Sequence, residues 1–177
     1  MKWRWLIIIL LGSLIKLPYA AADPLKFTSS KERQLIIKAS YLYNLTHYVR
    51  WPEPLKPRLE VCLPQHAALQ PFMTGLQRKK VNEATFSIRT TAFTRQDLMA
   101  CDLIYFDATS PLRVLNPLSE RPVLTVGEGS DFLALGGMLS FQETNGRIAL
   151  SINLQATRKA GLEVSPSLLE IAYRVIQ

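Results

Sequence analysis

Little in this sequence is suited to holding a metal or attacking a bond. It has two histidines, His47 and His66, and two cysteines, Cys62 and Cys101. Neither an HExxH nor a CxxC motif occurs, so no metal site is assigned. A GxSxG elbow is absent, which removes the commonest signature of a serine hydrolase. The glycine-rich stretch GEGSD, Gly127 to Asp131, lacks the lysine of a P-loop and the length of a dinucleotide fingerprint. No catalytic residue and no cofactor follow from the chain. Repeats and low-complexity tracts are also missing, and one basic cluster, Arg78 to Lys80, is too short to suggest nucleic acid.

A long membrane-spanning run is missing too. Leu6 to Ile15 is apolar, but Lys16 ends it, well short of the ~20 residues a span requires. With Lys2 and Arg4 before it and Ala20, Ala21 and Ala22 after it, the stretch has the form of a secretory signal peptide over residues 1–22. That leaves a single domain over 23–177, long enough for its own core. Positions 1–22 carry three of the 21 basic residues and no acid, which leaves 18 against 14. In an oxidising compartment an even cysteine count favours a disulfide, and Cys62 and Cys101 are the only candidates. The competing reading is two free thiols too far apart to bond.

What is present is a regular alternation. SSKE at Ser29 to Glu32 has the form of a capping box, opening a helix that runs to about Arg50 and stops before Trp51-Pro52. Its core stripe is Leu35, Ala39, Leu42, Thr46 and Val49, widened by Ile36 and Tyr43. Apolar runs at 59–64, 84–91, 101–107 and 122–127 suggest strands, with helical segments between them. MLSFQET and RIALSINL flank Asn145-Gly146, a strong hairpin turn. A helix follows at QATRKAG, and SPSLLEIAYRV is expected as one last helix capped by Ser165. Strand-helix repetition predicts an α/β fold: a single domain with a Rossmann-like, mostly parallel sheet flanked by helices, a long N-terminal helix and a late β-hairpin. Cys62 and Cys101 then lie on two strands that can be neighbours.

Two surfaces invite a functional reading. The segment YLYNLTHYVRWP holds four of the sixteen aromatic residues. Core packing accounts for Leu42, Tyr43 and Val49. Ile37, Tyr41 and Tyr48, with Asn44 beside them, fall on a second stripe where a surface helix usually carries charge. They are the candidate partner or dimer surface. The second candidate is the strand-end edge where open α/β sheets bind ligands, through Asp107, Gly127, Gly129 and Ser130. The plainer alternative there is a turn-forming aspartate and a glycine turn capped by Gly129 or Ser130.

KASYLYNLTHYVRWP, LEVCLP, CDLIYF, PVLTVGEGSDFLALGGMLSF and GRIALSINLQATRKAGLEVSPSLLEIA occur in one order over residues 30–175. In these blocks the chain resembles the YfiR family of periplasmic regulators. The resemblance implies a Rossmann-like domain in the periplasm that represses an inner-membrane diguanylate cyclase by binding its periplasmic part. Repression lowers cyclic-di-GMP and restrains biofilm formation. It further implies a homodimer, redox-responsive cysteines and a possible second partner, an OmpA-like outer-membrane lipoprotein. Cys62 and Cys101 fall in the blocks of the family's disulfide pair, while a second pair found near the glycine block of some relatives is missing here. Other sensors, including histidine kinases, stay open as partners. Two rivals to the regulator are a periplasmic small-ligand binding protein feeding a sensor kinase or transporter, and, with least support, an exported hydrolase.

Overall fold

Ser29 does open a helix: its hydroxyl accepts the Glu32 amide at 3.1 Å, satisfying one of the donors that a helix N-terminus leaves bare. The structure, a computed structural model, describes residues 29–52, 54 and 56–177. The signal-peptide segment 1–22 lies outside the described residues.

Helix α1 (Ser30–Tyr48) leads into the short strand β1 (Val49–Arg50) and then β2 (Arg58–Pro64). Next come α2 (Gln70–Met73), β3 (Lys80–Val81), β4 (Ala84–Thr91), α3 (Arg95–Met99) and β5 (Leu103–Tyr105). The second half holds α4 (Leu115–Leu118), β6 (Leu124–Glu128), α5 (Gly129–Ala134), β7 (Leu139–Thr144) and β8 (Arg147–Asn153). It closes with α6 (Leu154–Lys159), β9 (Glu163–Val164), α7 (Pro166–Ile171) and β10 (Arg174–Ile176).

Among the described residues the main sheet has eight strands in the order β10-β8-β7-β6-β5-β2-β4-β3. Only β7 with β8 and β3 with β4 run antiparallel. The Rossmann-like, mostly parallel sheet expected from the sequence is therefore what forms. The chain starts in the middle at β2, moves out to β4, and crosses back to β5. The strand order reverses between β2 and β5.

Period-two alternation sorts the side chains into two cores. Val61, Leu63, Leu103, Tyr105, Leu124 and Val126 face α1. Cys62, Ile104 and Phe106 face the other way, towards Leu98 of α3, Leu115 and Leu118 of α4, and Phe132 of α5. The interior strands are apolar on both sides, as a sheet covered on both faces requires.

The α1 core stripe holds at Ala39, Leu42, Thr46 and Val49, and gains Leu45, which is 1% exposed. The hairpin turn sits at Asn145 and Gly146, both at positive φ. Two expectations need correction. The last segment is not one helix: α7 ends at Ile171, and β10 pairs parallel to β8 at the sheet edge. The Tyr173 amide, donating to the Leu150 carbonyl, turns the chain into that strand. The N-cap of α5 is Glu128, not Gly129 or Ser130.

Cys62 and Cys101 are joined, with their Cα atoms 5.9 Å apart. Cys62 is on β2, whereas Cys101 lies two residues before β5 rather than inside it. The β2–β5 pairing brings them together. Both are buried, at 0% and 2% exposure, so reduction needs the fold to open.

Two outcomes follow. The native oxidised protein has no reactive thiol, and a mild reductant without denaturant releases none on the timescale of minutes; thiol titration checks both. The sequence separation is 39. Closing a loop of that size stabilises by about 4 kcal/mol in the chain-entropy model. Replacing both cysteines by alanine is therefore expected to lower the midpoint of thermal unfolding by roughly 8–16 °C.

Candidate functional site

Four of the sequence's candidate residues lie on α1, and the helix is anchored at its middle and at its C-terminal end. Near its middle, the Lys38 ammonium donates to both carboxylate oxygens of Glu128, at 2.9 and 2.8 Å. The Tyr105 hydroxyl donates to the same carboxylate. Glu128 ends β6 and Tyr105 ends β5, so this clasp ties α1 to two central strands. Burial, reinforced by the Glu128 charge, pushes the Tyr105 phenol above its usual range. At its C-terminal end the Tyr48 carbonyl accepts the Ser165 amide, and β1 pairs with β9.

Held in this way, α1 exposes part of its second stripe. Ile37 is 36% exposed and Tyr48 39%, and Asn44 is exposed as well. Tyr41 is divided. It is half-buried, its ring 5.7 Å from that of Phe141, and it lines a hollow with Ile171 and Tyr173. Those two are the most exposed of the large apolar residues among those described, at 65% and 60%. The last helix therefore does not cover the stripe. Ile171 at its end and Tyr173 just beyond it instead share a hollow with Tyr41.

Each of the strand-end candidates has a local structural role. The Asp107 carboxylate accepts from the Thr109 amide and hydroxyl at 3.0 and 2.7 Å and from the Ser110 hydroxyl at 2.9 Å, forming a turn. At Gly127, an added Cβ would lie 2.4 Å from the Phe132 ring, so the glycine lets α5 pack on the sheet. Gly129 is at positive φ and its carbonyl accepts the Ser140 hydroxyl. The Ser130 hydroxyl reaches Asp131 at 3.3 Å.

The better-formed cavity lies at the opposite edge, where the strands begin. It is a cleft of about 590 Å³ between the end of α1, Trp51, Pro52, Pro54 and Lys56, the start of β2, the β3–β4 turn and β9. Its floor is Asp102, which is 5% exposed. One carboxylate oxygen accepts the Glu60 amide at 2.8 Å and the other accepts from the Lys56 ammonium. The Asp102 carbonyl takes the Leu124 amide at 2.8 Å and the Trp51 indole N–H at 3.3 Å. Asp102 and Asp107 thus mark opposite ends of β5. Sequence reasoning did not single out Asp102 and missed this role. The available signal was a buried-type aspartate directly after a disulfide cysteine. Among the described residues no cluster of histidine, cysteine or carboxylate side chains has the form of a metal site.

A family profile described as YfiR/HmsC-like matches residues 36–173, from within α1 to just before β10. Among solved structures, the chain is similar to a conserved domain protein from Vibrio cholerae O1 biovar El Tor str. N16961, at 12% identity and a TM-score of 0.47. The alignment covers 77% of this chain and 59% of that one, so this chain spans about three fifths of that protein's length. Similarity at that level carries no inference about activity or partners.

The clasp and the cleft floor can be tested separately. Replacing Glu128 by alanine strands a half-buried ammonium and a buried phenol, at an expected cost of about 2–4 kcal/mol in denaturant unfolding. Tyr105→Phe should cost about 1 kcal/mol at neutral pH. It should also flatten the alkaline limb. With its pKa raised in the fold, Tyr105 keeps its proton where the unfolded chain has lost it. Its contribution is whole below pH about 10 and declines above that by up to about 1.4 kcal/mol per pH unit. The stability advantage of wild type over Tyr105→Phe should vanish and then reverse as pH rises from 10 to 12. At the cleft floor, Asp102→Ala orphans the Glu60 amide and should cost roughly 2–4 kcal/mol, and Asp102→Asn less.

Proposed function

The chain belongs to the YfiR/HmsC-like family, and on that footing we propose that it is a periplasmic regulator acting by contact rather than catalysis. Its target is the sensor region of an inner-membrane signalling protein, a diguanylate cyclase, which it represses so that cyclic-di-GMP and biofilm formation fall. The observation that carries the proposal is the outer face of α1. Ile37, Asn44 and Tyr48 are exposed on a helix held at its middle and its C-terminal end, and Tyr41 on the same stripe shares a hollow with exposed Ile171 and Tyr173. Contiguous apolar surface of this kind marks interaction sites, and tyrosine is a favoured anchor in them. A rigid helix also loses little freedom when it docks. Homodimer formation and capture by an OmpA-like outer-membrane lipoprotein belong to the same proposal, as competitors for this face. Among the described residues no helix is long and apolar enough to cross a membrane.

Deleting the gene should raise cyclic-di-GMP and surface attachment severalfold, and the wild-type gene should restore both. Tyr48→Asp and Ile37→Asp should fail to restore them while leaving the unfolding midpoint within a few degrees of wild type. Nucleotide levels that do not move on deletion would contradict the proposal. So would full restoration by both charge variants.

A further inference from the structure

We propose that the cleft at the strand-start edge is a binding site for a neutral, hydroxyl-rich ligand, a short glycan held against the Trp51 indole. The site goes beyond the docking proposal and does not depend on it.

Size comes first. A volume of about 590 Å³ is ordinary for a site that encloses a small organic ligand. Charge then narrows the class. The cleft is lined by Arg50, Lys56 and Arg58, set against Glu83, Asp102 and Glu163, so the cations and acids balance. The cations are also engaged: Arg50 pairs with Glu163 at 3.0 Å, Lys56 pairs with Asp102, and Arg58 lies 3.7 Å from Glu60. A phosphate or polyanion needs converging, uncompensated positive charge, and the cleft does not offer it. A wholly apolar ligand would bury these polar groups without giving them partners. What fits is a ligand that carries no charge but both donates and accepts around its rim.

The aromatic wall supplies the second half. Trp51 is half-buried, and its N–H bond to the Asp102 carbonyl fixes the ring against the floor. Pro52 and Pro122 line the same cleft and add stiff apolar surface. A pyranose ring has an apolar face of C–H groups and a rim of hydroxyls. The face buries well on an indole, and the rim meets carboxylates and cations that accept and donate in turn. A peptide is less well served. Strand β3, the free sheet edge beside the cleft, is two residues long, too short to template an added strand.

Tyr48 lines this cleft and also stands on the outer stripe of α1. Ligand binding and partner docking therefore share a side chain. By linkage, each is expected to change the affinity for the other.

The other two tryptophans are Trp3 and Trp5, so the emission that Trp51→Phe removes isolates the signal from the cleft. The full chain is titrated with chitotriose, maltotriose and cellotriose, and separately with triproline and inorganic phosphate. Emission and isothermal calorimetry are followed together. The expected result is saturable binding of at least one trisaccharide, with a shift in Trp51 emission and no response to phosphate or triproline. Trp51→Ala should weaken that binding at least tenfold, and Glu163→Gln, at an exposed position, several-fold. If Trp51→Ala fails to fold, Trp51→Phe takes its place and should show an intermediate loss. The proposal is overturned if none of the three sugars binds, if triproline or phosphate binds instead, or if the folded variants bind with unchanged Kd. Loss of sugar binding by variants that still repress the cyclase would leave the docking proposal intact.

Discussion

A buried carboxylate at the strand-order reversal holds the architecture in register. Asp102 sits where β2 meets β5, directly after a disulfide cysteine. Its amide donates to the Glu60 carbonyl at 2.8 Å, and its carboxylate takes the Glu60 amide back at 2.8 Å. Its carbonyl serves both β6, through Leu124, and the Trp51 indole. A charge in such a place is tolerable only when hydrogen bonds replace its water. Lys56, which is 62% exposed, closes the set from the cleft mouth while keeping contact with solvent. Three strands and one loop therefore share a single anchor. The Cys62–Cys101 bond beside it limits how far that anchor can shift when the chain breathes.

The same logic of fixed points governs α1. A helix of nineteen residues can pack on a sheet through apolar contact alone, but apolar contact is poorly directional. The Lys38–Glu128–Tyr105 clasp sets its rotation. The β1–β9 ribbon and the Ser165 amide set its far end. Rotation decides which side chains face outward, and so decides that Ile37, Asn44 and Tyr48 form the exposed stripe. The cleft and the stripe are thus separate products of two anchors, meeting at Tyr48.

Local features were legible in the sequence because local chemistry determines them. Ser29 caps α1, Asn145-Gly146 turns the hairpin, and short apolar runs mark β2, β5 and β6. The pairing of Cys62 with Cys101 was within reach once β2 and β5 were expected as neighbours. What escaped is nonlocal. Lys38 and Glu128 are 90 residues apart, and nothing in either neighbourhood signals the other. The cleft draws on segments from Thr46 to Pro166, so no single motif contains it. The end of α7 escaped for a related reason. The stretch LLEIAYRV is compatible with helix, and only the unpaired edge of β8 makes Arg174–Ile176 a strand. Tyr41 also shows that helical angle alone cannot divide a side chain that lies on the boundary between core and surface.

The account stands or falls on whether the exposed stripe of α1 meets a membrane signalling protein. Site-specific photo-crosslinking in living cells tests this directly. A photoreactive amino acid replaces Tyr48 in one strain and Leu135, an exposed apolar residue on the far side of the sheet, in another. The account predicts a cross-link from position 48 to an integral-membrane protein with a cyclase or sensor domain, identified by mass spectrometry, and none from position 135. Cross-links to such a protein only from position 135, or from neither position, would contradict it.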